Sequence, residues 1–495
     1  MSSFLLDPRV RLHLDRRGGR RAAGQLVGGM LVGGQPTRVL RLGGPAAAAV
    51  ARWRTGPAIP ADRADGGEVH GLQVCGGDAA GTQVLGDVGG CELHGDAELR
   101  LARRLHDAGL GILRVDPGHR LDDVTVVVPV RDRADELARC LATIGQCGRL
   151  LVVDDGSCDA GPVAEVAQAA GAELLRRATN GGPAAARNTG LAAVRTPLVA
   201  FVDSDCTMPE GWLEELLPSL LAGTAVVAPR IVGAGGGSLL ARFERGGGPL
   251  DLGPRAAPVR PGGRVGYLPA AVLLCRRDEL GAGFDPELRV GEDVDLMWRL
   301  AEAGYQVRYV PSVVVRHQTR AGIIAWVRQR HGYGRSAALL DLRHPGALTP
   351  ARLSRWSLPG LVAMSLGRWG WLAAAVIASS VGLRQRLPDV PGRTLEATRL
   401  AAEGQLLTVL GLAHALARPW LPATVGLAVG SRRARRLAVT TVAVQLLRAA
   451  PNRSRDLDPL RWALLHLADD LAYASGVWRG ACAYRRPGVL LPQVR

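Results

Sequence analysis

Five short elements, one of them a pair of stretches, carry side chains whose types and spacing could do chemistry. Phe201-Val-Asp203-Ser-Asp205 sets two carboxylates one residue apart after the apolar residues Leu198–Ala200 and Val202. Carboxylate oxygens bind hard cations, and magnesium commonly sits between one or two of them and substrate phosphates. A lone Asp-x-Asp is common on surfaces, but its place after four apolar residues favours the end of a buried strand over a solvated loop, where the pair could hold such a cation. Val290-Gly-Glu292-Asp293-Val-Asp295 places acids at the start of an amphipathic run that continues through Trp298 and Arg299. Such acids stabilise a helix N-terminus, and one held beside an acceptor hydroxyl would take its proton as a general base. Val313-Val-Val-Arg316-His317-Gln318 ends a β-branched run on a histidine, which in this company would be the nitrogen ligand that completes a metal site.

The remaining stretches suit a nucleotide. Val126-Val-Val-Pro129-Val-Arg-Asp132 and Val152-Val-Asp154-Asp155-Gly156-Ser157 are apolar runs that end in acidic loops. Acids there can accept hydrogen bonds from a base N–H and from ribose hydroxyls, although Asp-Asp-Gly-Ser is also an ordinary strand-to-turn sequence. Asn180-Gly-Gly-Pro-Ala-Ala-Ala-Arg187-Asn188 opens a helix. A helix N-terminus and one inward arginine favour an anionic diphosphate, and a Gly-rich helix start explains the glycines equally well. The spacing is neither that of a Walker loop nor that of a dinucleotide-binding turn.

Positioning these side chains requires strands that end at a common edge. Residues 121–345 alternate near-continuous apolar runs with helical stretches, the pattern of a parallel α/β sheet whose ligands gather at the carboxyl ends of the strands. The predicted strands are Val124–Val130, Leu150–Asp154, Glu173–Arg176 and Pro197–Val202; the predicted helices are Ala134–Ile144, Val163–Ala170, Pro183–Val194 and Trp212–Ala222. Residues 1–120 differ. Apolar runs at Gly24–Val32 and Arg38–Leu42 lie between Gly-rich turns, Pro45–Arg54 and Ala97–Leu110 have helical spacing, and Ala61–Gly90 reads as a polar loop. The histidines of this region, His106 among them, are expected at the surface. Residues 346–495 are rich in Leu, Ala and Trp. Their apolar segments, Leu358–Leu383 and Gln405–Gly430, are interrupted by Arg368, His414, Arg418, Pro419 and Pro422, which suits helices on or dipping into a membrane surface better than clean spans.

The chain has 495 residues, enough for two or three domains, and a formal charge of +16. All 61 basic residues are arginine. A basic surface attracts nucleic acid, anionic lipid or phosphorylated substrates, but no helix-turn-helix, RNP or zinc-finger spacing is present, so nucleic acid is not expected as a partner. The eight cysteines form no CxxC pair and read as reduced thiols. The start Met1-Ser-Ser-Phe-Leu-Leu-Asp-Pro has no basic-then-apolar signal, which predicts an intracellular location for the N-terminal half.

Taken together and in order, the five elements resemble the family-2 glycosyltransferases of GT-A fold across residues 121–345. The resemblance implies an α/β nucleotide-sugar-binding domain with a mostly parallel central sheet. It implies a magnesium or manganese ion on Asp203, Asp205 and His317, and a nucleotide-sugar donor held by Pro129, Asp132, Asp154, Asp155, Arg187 and Asp203. Asp293 would be the catalytic base, with Glu292 beside it, and Trp298, Gln329 and Tyr333 would face the acceptor. Which of Asp154 and Asp155 meets the base stays open. The implied reaction is a single in-line displacement with inversion.

Arg328-Gln-Arg-His331-Gly-Tyr333-Gly334-Arg-Ser336, continuing to Arg343-His344-Pro345-Gly346, is similar to the glycosyltransferases of mycofactocin biosynthesis, whose C-terminal region is also basic and rich in Leu, Ala and Trp. Leu31-Val-Gly-Gly-Gln-Pro36-Thr-Arg-Val-Leu-Arg-Leu42 is similar to their N-terminal segment. This second resemblance implies a small α+β module of PqqD-like, winged-helix type that binds a precursor peptide. It further implies transfer of glucose from UDP-glucose to premycofactocin and its β-1,4-linked oligoglucosides, at the cytoplasmic face of an anionic membrane. The division expected is 1–120 recognition module, 121–345 catalytic domain and 346–495 helical, membrane-associating region. The alternatives are a membrane-associated family-2 enzyme of cell-surface polysaccharide or glycolipid synthesis, and a non-catalytic peptide-recognition protein.

Overall fold

The alternating runs near the N-terminus pair as antiparallel ribbons. In a computed structural model, one unit comprises Met1–Val115 with Leu387–Arg393 and a second comprises Asp116–Arg386 with Thr394–Arg495. The structure describes residues 3–6, 11–17, 25–33, 38–55, 91–92, 96–114, 118–318, 322–365, 369–389 and 392–494. The first unit contains β1 (Ser3–Leu6), β2 (Arg11–Arg17), β3 (Gln25–Gly33), β4 (Arg38–Gly43), α1 (Gly44–Thr55), β5 (Cys91–Glu92), α2 (Asp96–Asp107) and β6 (Gly111–Arg114). One sheet is β2-β3-β4 and the other β5-β1-β6. Met30, Leu31 and Val32 of β3 are fully buried, as are Ala47 and Val50 of α1. His106 is not at the surface as expected. It is buried, and its Nδ1 accepts a hydrogen bond from the Leu113 N–H at 3.0 Å. The loop read at Ala61–Gly90 lies outside the described residues.

In the second unit, runs rich in Val and Leu form strands buried on both faces, as strands inside a layered sheet must be. The elements are β7 (Val124–Val130), α3 (Ala134–Leu141), β8 (Arg149–Asp154), α4 (Gly161–Ala169), β9 (Glu173–Arg176), α5 (Pro183–Ala193), β10 (Leu198–Val202), β11 (Cys206–Thr207), α6 (Trp212–Leu216), β12 (Thr224–Gly233), α7 (Leu239–Arg245), β13 (Ala257–Pro258), β14 (Val272–Arg276), α8 (Glu292–Glu302), β15 (Gln306–His317) and α9 (Ile323–Arg343). The predicted strands and helices fall on β7–β10 and α3–α6 with small shifts at their ends. The exception is the helix predicted to run to Ala222: α6 stops at Leu216, and a 3-10 turn over Leu217–Ser219 follows, because Pro218 cannot donate the next helical hydrogen bond.

The nine-stranded sheet has the order β11-β15-β12-β14-β10-β7-β8-β9, with β13 paired to β15. The expectation of a mostly parallel sheet is corrected here. β10, β7, β8 and β9 run parallel, but β14 runs antiparallel between β10 and β12, and β11 and β13 pair antiparallel with β15. Val272-Leu-Leu-Cys275 is buried on both faces, and a central strand of either direction gives the same continuous apolar run. Direction was therefore not legible in the pattern.

One core layer packs α3, α4 and α6 on the sheet, and the opposite layer packs α5 and α8. A Cβ at Gly190 would collide with Val127 and Val153, so α5 lies hard against β7 and β8. Six further helices follow: α10 (Leu358–Ser365), α11 (Trp369–Arg386), α12 (Arg393–Ala417), α13 (Leu421–Gly430), α14 (Arg432–Ala449) and α15 (Pro459–Ala483). The break between α12 and α13 falls at Arg418–Trp420, where Pro419 and Pro422 were expected to interrupt the apolar run. Among the described residues, Arg393–Ala417 is the one helix long and apolar enough to cross a membrane, and a third of its apolar window is buried in the fold.

Candidate active site

Because β7, β8 and β10 run parallel, their carboxyl ends lie side by side, and the loops that follow share one crevice. Asp132, just past β7, has a left-handed backbone (φ 54°). Its N–H donates to Ser157 Oγ at 2.9 Å and its Oδ1 accepts from the Cys158 N–H at 2.7 Å, which ties the two loops together. Pro129 sits within β7 opposite Val153. Asp154 and Asp155 at the end of β8 are both buried, and they differ in what they do. Asp155 is fully engaged. It accepts from Arg177 Nε at 2.8 Å and from the N–H groups of Gly181 and Gly182 at 2.9 and 2.8 Å, and so shapes the loop before α5. Gly182 has φ 88°, which a side chain would strain. Asp154 uses Oδ1 for Ser157, while its buried Oδ2 has no hydrogen-bond partner and Arg176 stands 3.8 Å away.

Arg187 is held deep by the small residues of α5, with Ala184 and Ala186 buried beside it. Its Nη2 donates to Asp203 Oδ1 at 2.6 Å and its Nη1 to Glu292 Oε1 at 3.0 Å, and its guanidinium lies 5.3 Å from the Phe284 ring centre. One cation thus joins the end of β10 to the start of α8. Gly291, with φ 89°, turns the chain into α8. Asp293 is half-buried there. Its Oδ1 accepts from the Val294 N–H at 2.8 Å and its Oδ2 from the Ala270 N–H at 3.3 Å. Burial, and then the Asp293 charge, push the Glu292 carboxyl up to about 7 against the pull of Arg187. Burial also raises Asp293, opposed by the Val294 N–H, Arg187 and the Ala270 N–H.

Asp205 and His317 meet across the β11–β15 pairing, with Nε2 3.3 Å from Oδ1. Asp205 Oδ2 accepts from Arg133 at 3.1 Å, whereas the buried Oδ1 has no hydrogen-bond partner. Burial works to raise Asp205, but His317 and Arg133 hold its carboxyl below the usual range. Burial works to lower His317, and Asp205 outweighs it, so the imidazole is raised. Among the described residues no three of His, Cys, Asp and Glu close around a point as a metal cage. Of the expected set of three, Asp205 and His317 come together, and Asp203 Oδ1 accepts from Arg187 at 2.6 Å. An unsatisfied carboxylate oxygen facing an imidazole nitrogen fits a divalent cation that completes its shell with substrate phosphates.

A narrow cleft of ≈ 20 Å³ is lined by His317, Pro249 and Asp251 and by Gln329 and Tyr333 of α9. Trp298 is not on it. It is 3% exposed, its indole donates to the Gly266 carbonyl at 2.7 Å and its ring meets His344 edge-on, so it supports the loop before β14 and offers no face to an acceptor. Arg133, Arg177 and Phe284 were not singled out from sequence. With arginine so common, neither arginine stood out, and Phe284 lies in a loop with no periodic signal.

A mixed sheet of this order, with acids at the ends of β8 and β10 and at the start of α8, makes a GT-A-like glycosyltransferase fold. "Glycosyl transferase family 2" matches residues 125–263, and "Glycosyl transferase family group 2" matches residues 198–417. The chain belongs to the family 2 glycosyltransferases. It is 38% identical over 485 residues to the pre-mycofactocin glycosyltransferase of Mycobacterium tuberculosis, covering 94% of this chain and 95% of that protein. Succinoglycan biosynthesis protein ExoO of Rhizobium meliloti is 30% identical over 261 residues, 49% of this chain and 71% of its own. Among solved structures, a mannosyltransferase from Pyrobaculum calidifontis, in complex with GDP-Man and Mn2+, aligns with a TM-score of 0.42 and 18% identity, over 73% of this chain and 88% of that one.

Proposed function

We propose that the chain is an inverting glycosyltransferase that moves glucose from UDP-glucose to a hydroxyl of premycofactocin, and then extends the product as a β-1,4-linked oligoglucoside. The observation that carries the acceptor is the 38% identity, over nearly the whole of both chains, to a protein named for that substrate. The residue roles draw support from the geometry. The free, buried Oδ2 of Asp154 is an acceptor for the uracil N–H or a ribose hydroxyl, and Asp155 shapes the loop around it. Asp132 and Pro129 border the same crevice. Asp205 and His317, with Asp203, would hold magnesium or manganese, which when bound neutralises charge on the departing diphosphate. Arg187, paired with Asp203 and Glu292, would orient Asp203 on the diphosphate side.

Asp293 then takes the proton of the acceptor hydroxyl, and that oxygen attacks the anomeric carbon from the face opposite UDP. The new C–O bond forms as the bond to the β-phosphate oxygen breaks, with the electron pair leaving on that oxygen. An α-linked donor gives a β-linked product. Gln329 and Tyr333 would line the path of the acceptor.

We assign the C-terminal helices to the cytoplasmic surface of an anionic membrane. Leu427, Val429, Val439 and Leu447 of α13 and α14 are exposed, Arg432, Arg433, Arg435 and Arg436 lie between them, and no acid occurs between Glu403 and Asp456. The first unit we assign to the precursor peptide, on the resemblance around Leu31–Leu42. The test is incubation of purified protein with UDP-glucose, manganese and premycofactocin, read by mass spectrometry. Successive hexose additions are expected. Unmodified premycofactocin, with a cell-surface saccharide extended instead, would overturn the acceptor.

A further inference from the structure

Asp205 and His317 have a third neighbour, and it is a cation. Arg133 follows Asp132 in the turn between β7 and α3, and its Nη1 donates to Asp205 Oδ2 at 3.1 Å. The Arg133 side chain is 44% exposed and that of Asp205 18%, so the guanidinium closes over the carboxylate from the solvent side. Positive charge at this point repels a divalent cation, and the repulsion grows where protein displaces water. It also takes one of the two oxygens that Asp205 could offer.

The fold builds this contact from both sides. On the Asp205 side, α3 grips the chain around the acid. Cys140 Sγ donates to the Asp203 carbonyl at 3.6 Å, and Thr143 Oγ1 accepts from the Met208 N–H at 3.0 Å. Arg139 Nη2 donates to Gln318 Oε1 at 3.2 Å, and the Gln318 N–H donates in turn to the Asp205 carbonyl at 3.0 Å. The helix that begins just after Arg133 is thereby tied to both flanks of Asp205 and to the residue after His317. On the other side, Arg133 is the N-cap residue of α3 and spends no side-chain bond on capping. Asp132 before it has φ 54°, a region a residue with a Cβ seldom occupies unless its surroundings hold it there. Its bonds to Ser157 and Cys158 do so. The turn that presents Arg133 to Asp205 is therefore anchored on the loop of Asp154 and Asp155, the nucleoside side of the crevice.

We propose that Arg133 makes metal binding depend on the donor nucleotide. By holding Oδ2 it leaves Asp205 one oxygen, Oδ1 opposite His317, for the ion, and its charge weakens the site taken alone. A diphosphate supplies the missing oxygens and the negative charge that offsets the guanidinium. Arg133 acts through Asp205 and is a positioning residue. The inference rests on the metal assignment of Asp205 and His317 above and adds to it the linkage between ion and nucleotide.

The test is Mn2+ titration of the full chain read by electron paramagnetic resonance, with and without UDP. Wild type should bind Mn2+ at least about tenfold more tightly with UDP, and UDP should gain the same factor from Mn2+. Arg133→Ala frees Oδ2 and removes the charge, so Mn2+ affinity without UDP should rise at least about fivefold and the gain from UDP should shrink. Arg133→Lys keeps the charge and should stay within about twofold of wild type. Arg133→Gln supplies a second reading if Arg133→Ala does not fold. A merely structural role would leave Mn2+ affinity unchanged or lower it. Either result in Arg133→Ala and Arg133→Gln would overturn the proposal, as would a lysine variant as tight as the alanine one or a wild type whose Mn2+ affinity ignores UDP. A wild type that binds no Mn2+ even with UDP would overturn the metal assignment itself, and the proposal with it. A wild type that shows the linkage but adds no hexose to premycofactocin would overturn the named acceptor and uphold the role of Arg133.

Discussion

Asp293→Asn separates the base from its surroundings by exchanging one oxygen for an NH2. The asparagine carbonyl can keep the 2.8 Å bond from the Val294 N–H, but its NH2 then faces the Ala270 N–H, a second donor, and the 3.3 Å bond is lost. Losing one such bond costs about 1 kcal/mol. Against this, Glu292 is relieved of the like charge that helps push it up to about 7, which offsets part of the cost. The fold should survive with a Tm lower by no more than about 2–4 °C. Catalysis should not. A general base contributes about 10²- to 10⁴-fold, which corresponds to about 3–5 kcal/mol of barrier. Hexose transfer followed by mass spectrometry should show kcat reduced by that factor. Affinity for UDP-glucose should stay near wild type, since Asp154, Asp203 and Asp205 are untouched. Transfer within about tenfold of wild type by a folded variant would remove Asp293 as the base, because it falls below the range a positioned base supplies. A matching loss of donor affinity would instead mean that Asp293 acts through Arg187.

Four further outcomes are expected. Glu292 and Asp293 titrate as a pair with raised carboxyl pKa values, so protonation sets in above the ordinary carboxylate range as the pH falls: kcat/KM should drop about tenfold per pH unit on the acid side of that limb. Glu292→Gln removes the like charge and should move that acid limb to lower pH; a limb that stays put refutes the coupling. A chelator should stop transfer, and His317→Ala should raise the manganese concentration for half-maximal rate by at least about tenfold, while unchanged metal demand would contradict the ligand assignment. Asp154→Asn should raise the UDP-glucose KM with little change in Tm. Asp155→Asn, which weakens the bonds from Arg177, Gly181 and Gly182, should cost about 1–3 kcal/mol of stability, and the reverse pattern would exchange their roles. Replacing Arg432, Arg433, Arg435 and Arg436 by Ser should weaken binding to phosphatidylglycerol vesicles by about 1 kcal/mol per arginine, whereas an equal loss on phosphatidylcholine would point away from charge.

The elements that carry the candidate donor residues were legible in the sequence because each piece is local. An apolar run ending in Asp154, Asp203 or His317 announces both the strand and the end at which the side chain sits, and the acids Glu292 and Asp293 open the first turn of the amphipathic helix α8. What was not legible is through-space pairing. Arg187 reads in sequence as a diphosphate contact, yet in the fold it spans Asp203 and Glu292, which are distant from each other in the chain. Composition hid more. With 61 arginines and 64 glycines, neither Arg133 and Arg177 at the acids nor Gly476 and Gly480 on one helix face stood out from the background, although glycines four residues apart are a signal for close helix packing.

This changes what the stretch Arg328–Gly346 means. It carries the likeness to the mycofactocin enzymes, and a reader of sequence would look there for residues that touch the acceptor. Most of its distinctive side chains instead hold helices together. Arg330 is 2% exposed and binds Glu244 and Asp469, Gly334 admits α15, and His344 reaches Asp295 at 3.1 Å and Glu302 at 2.8 Å to brace α8 behind the Glu292–Asp293 pair. A buried arginine that loses one of its two acids leaves an uncompensated charge, which costs about 3–5 kcal/mol. Asp469 serves Arg330 and Arg418 together, so Asp469→Asn should loosen both arginines and with them Tyr333, whose ring the Arg330 guanidinium faces. The expected result is a lowered Tm and a raised acceptor KM, with metal demand unchanged because Asp205 and His317 stand on other elements. If the acceptor KM holds while Tm falls, the network stabilises the fold without shaping the site, and the coupling between α15 and the acceptor is refuted.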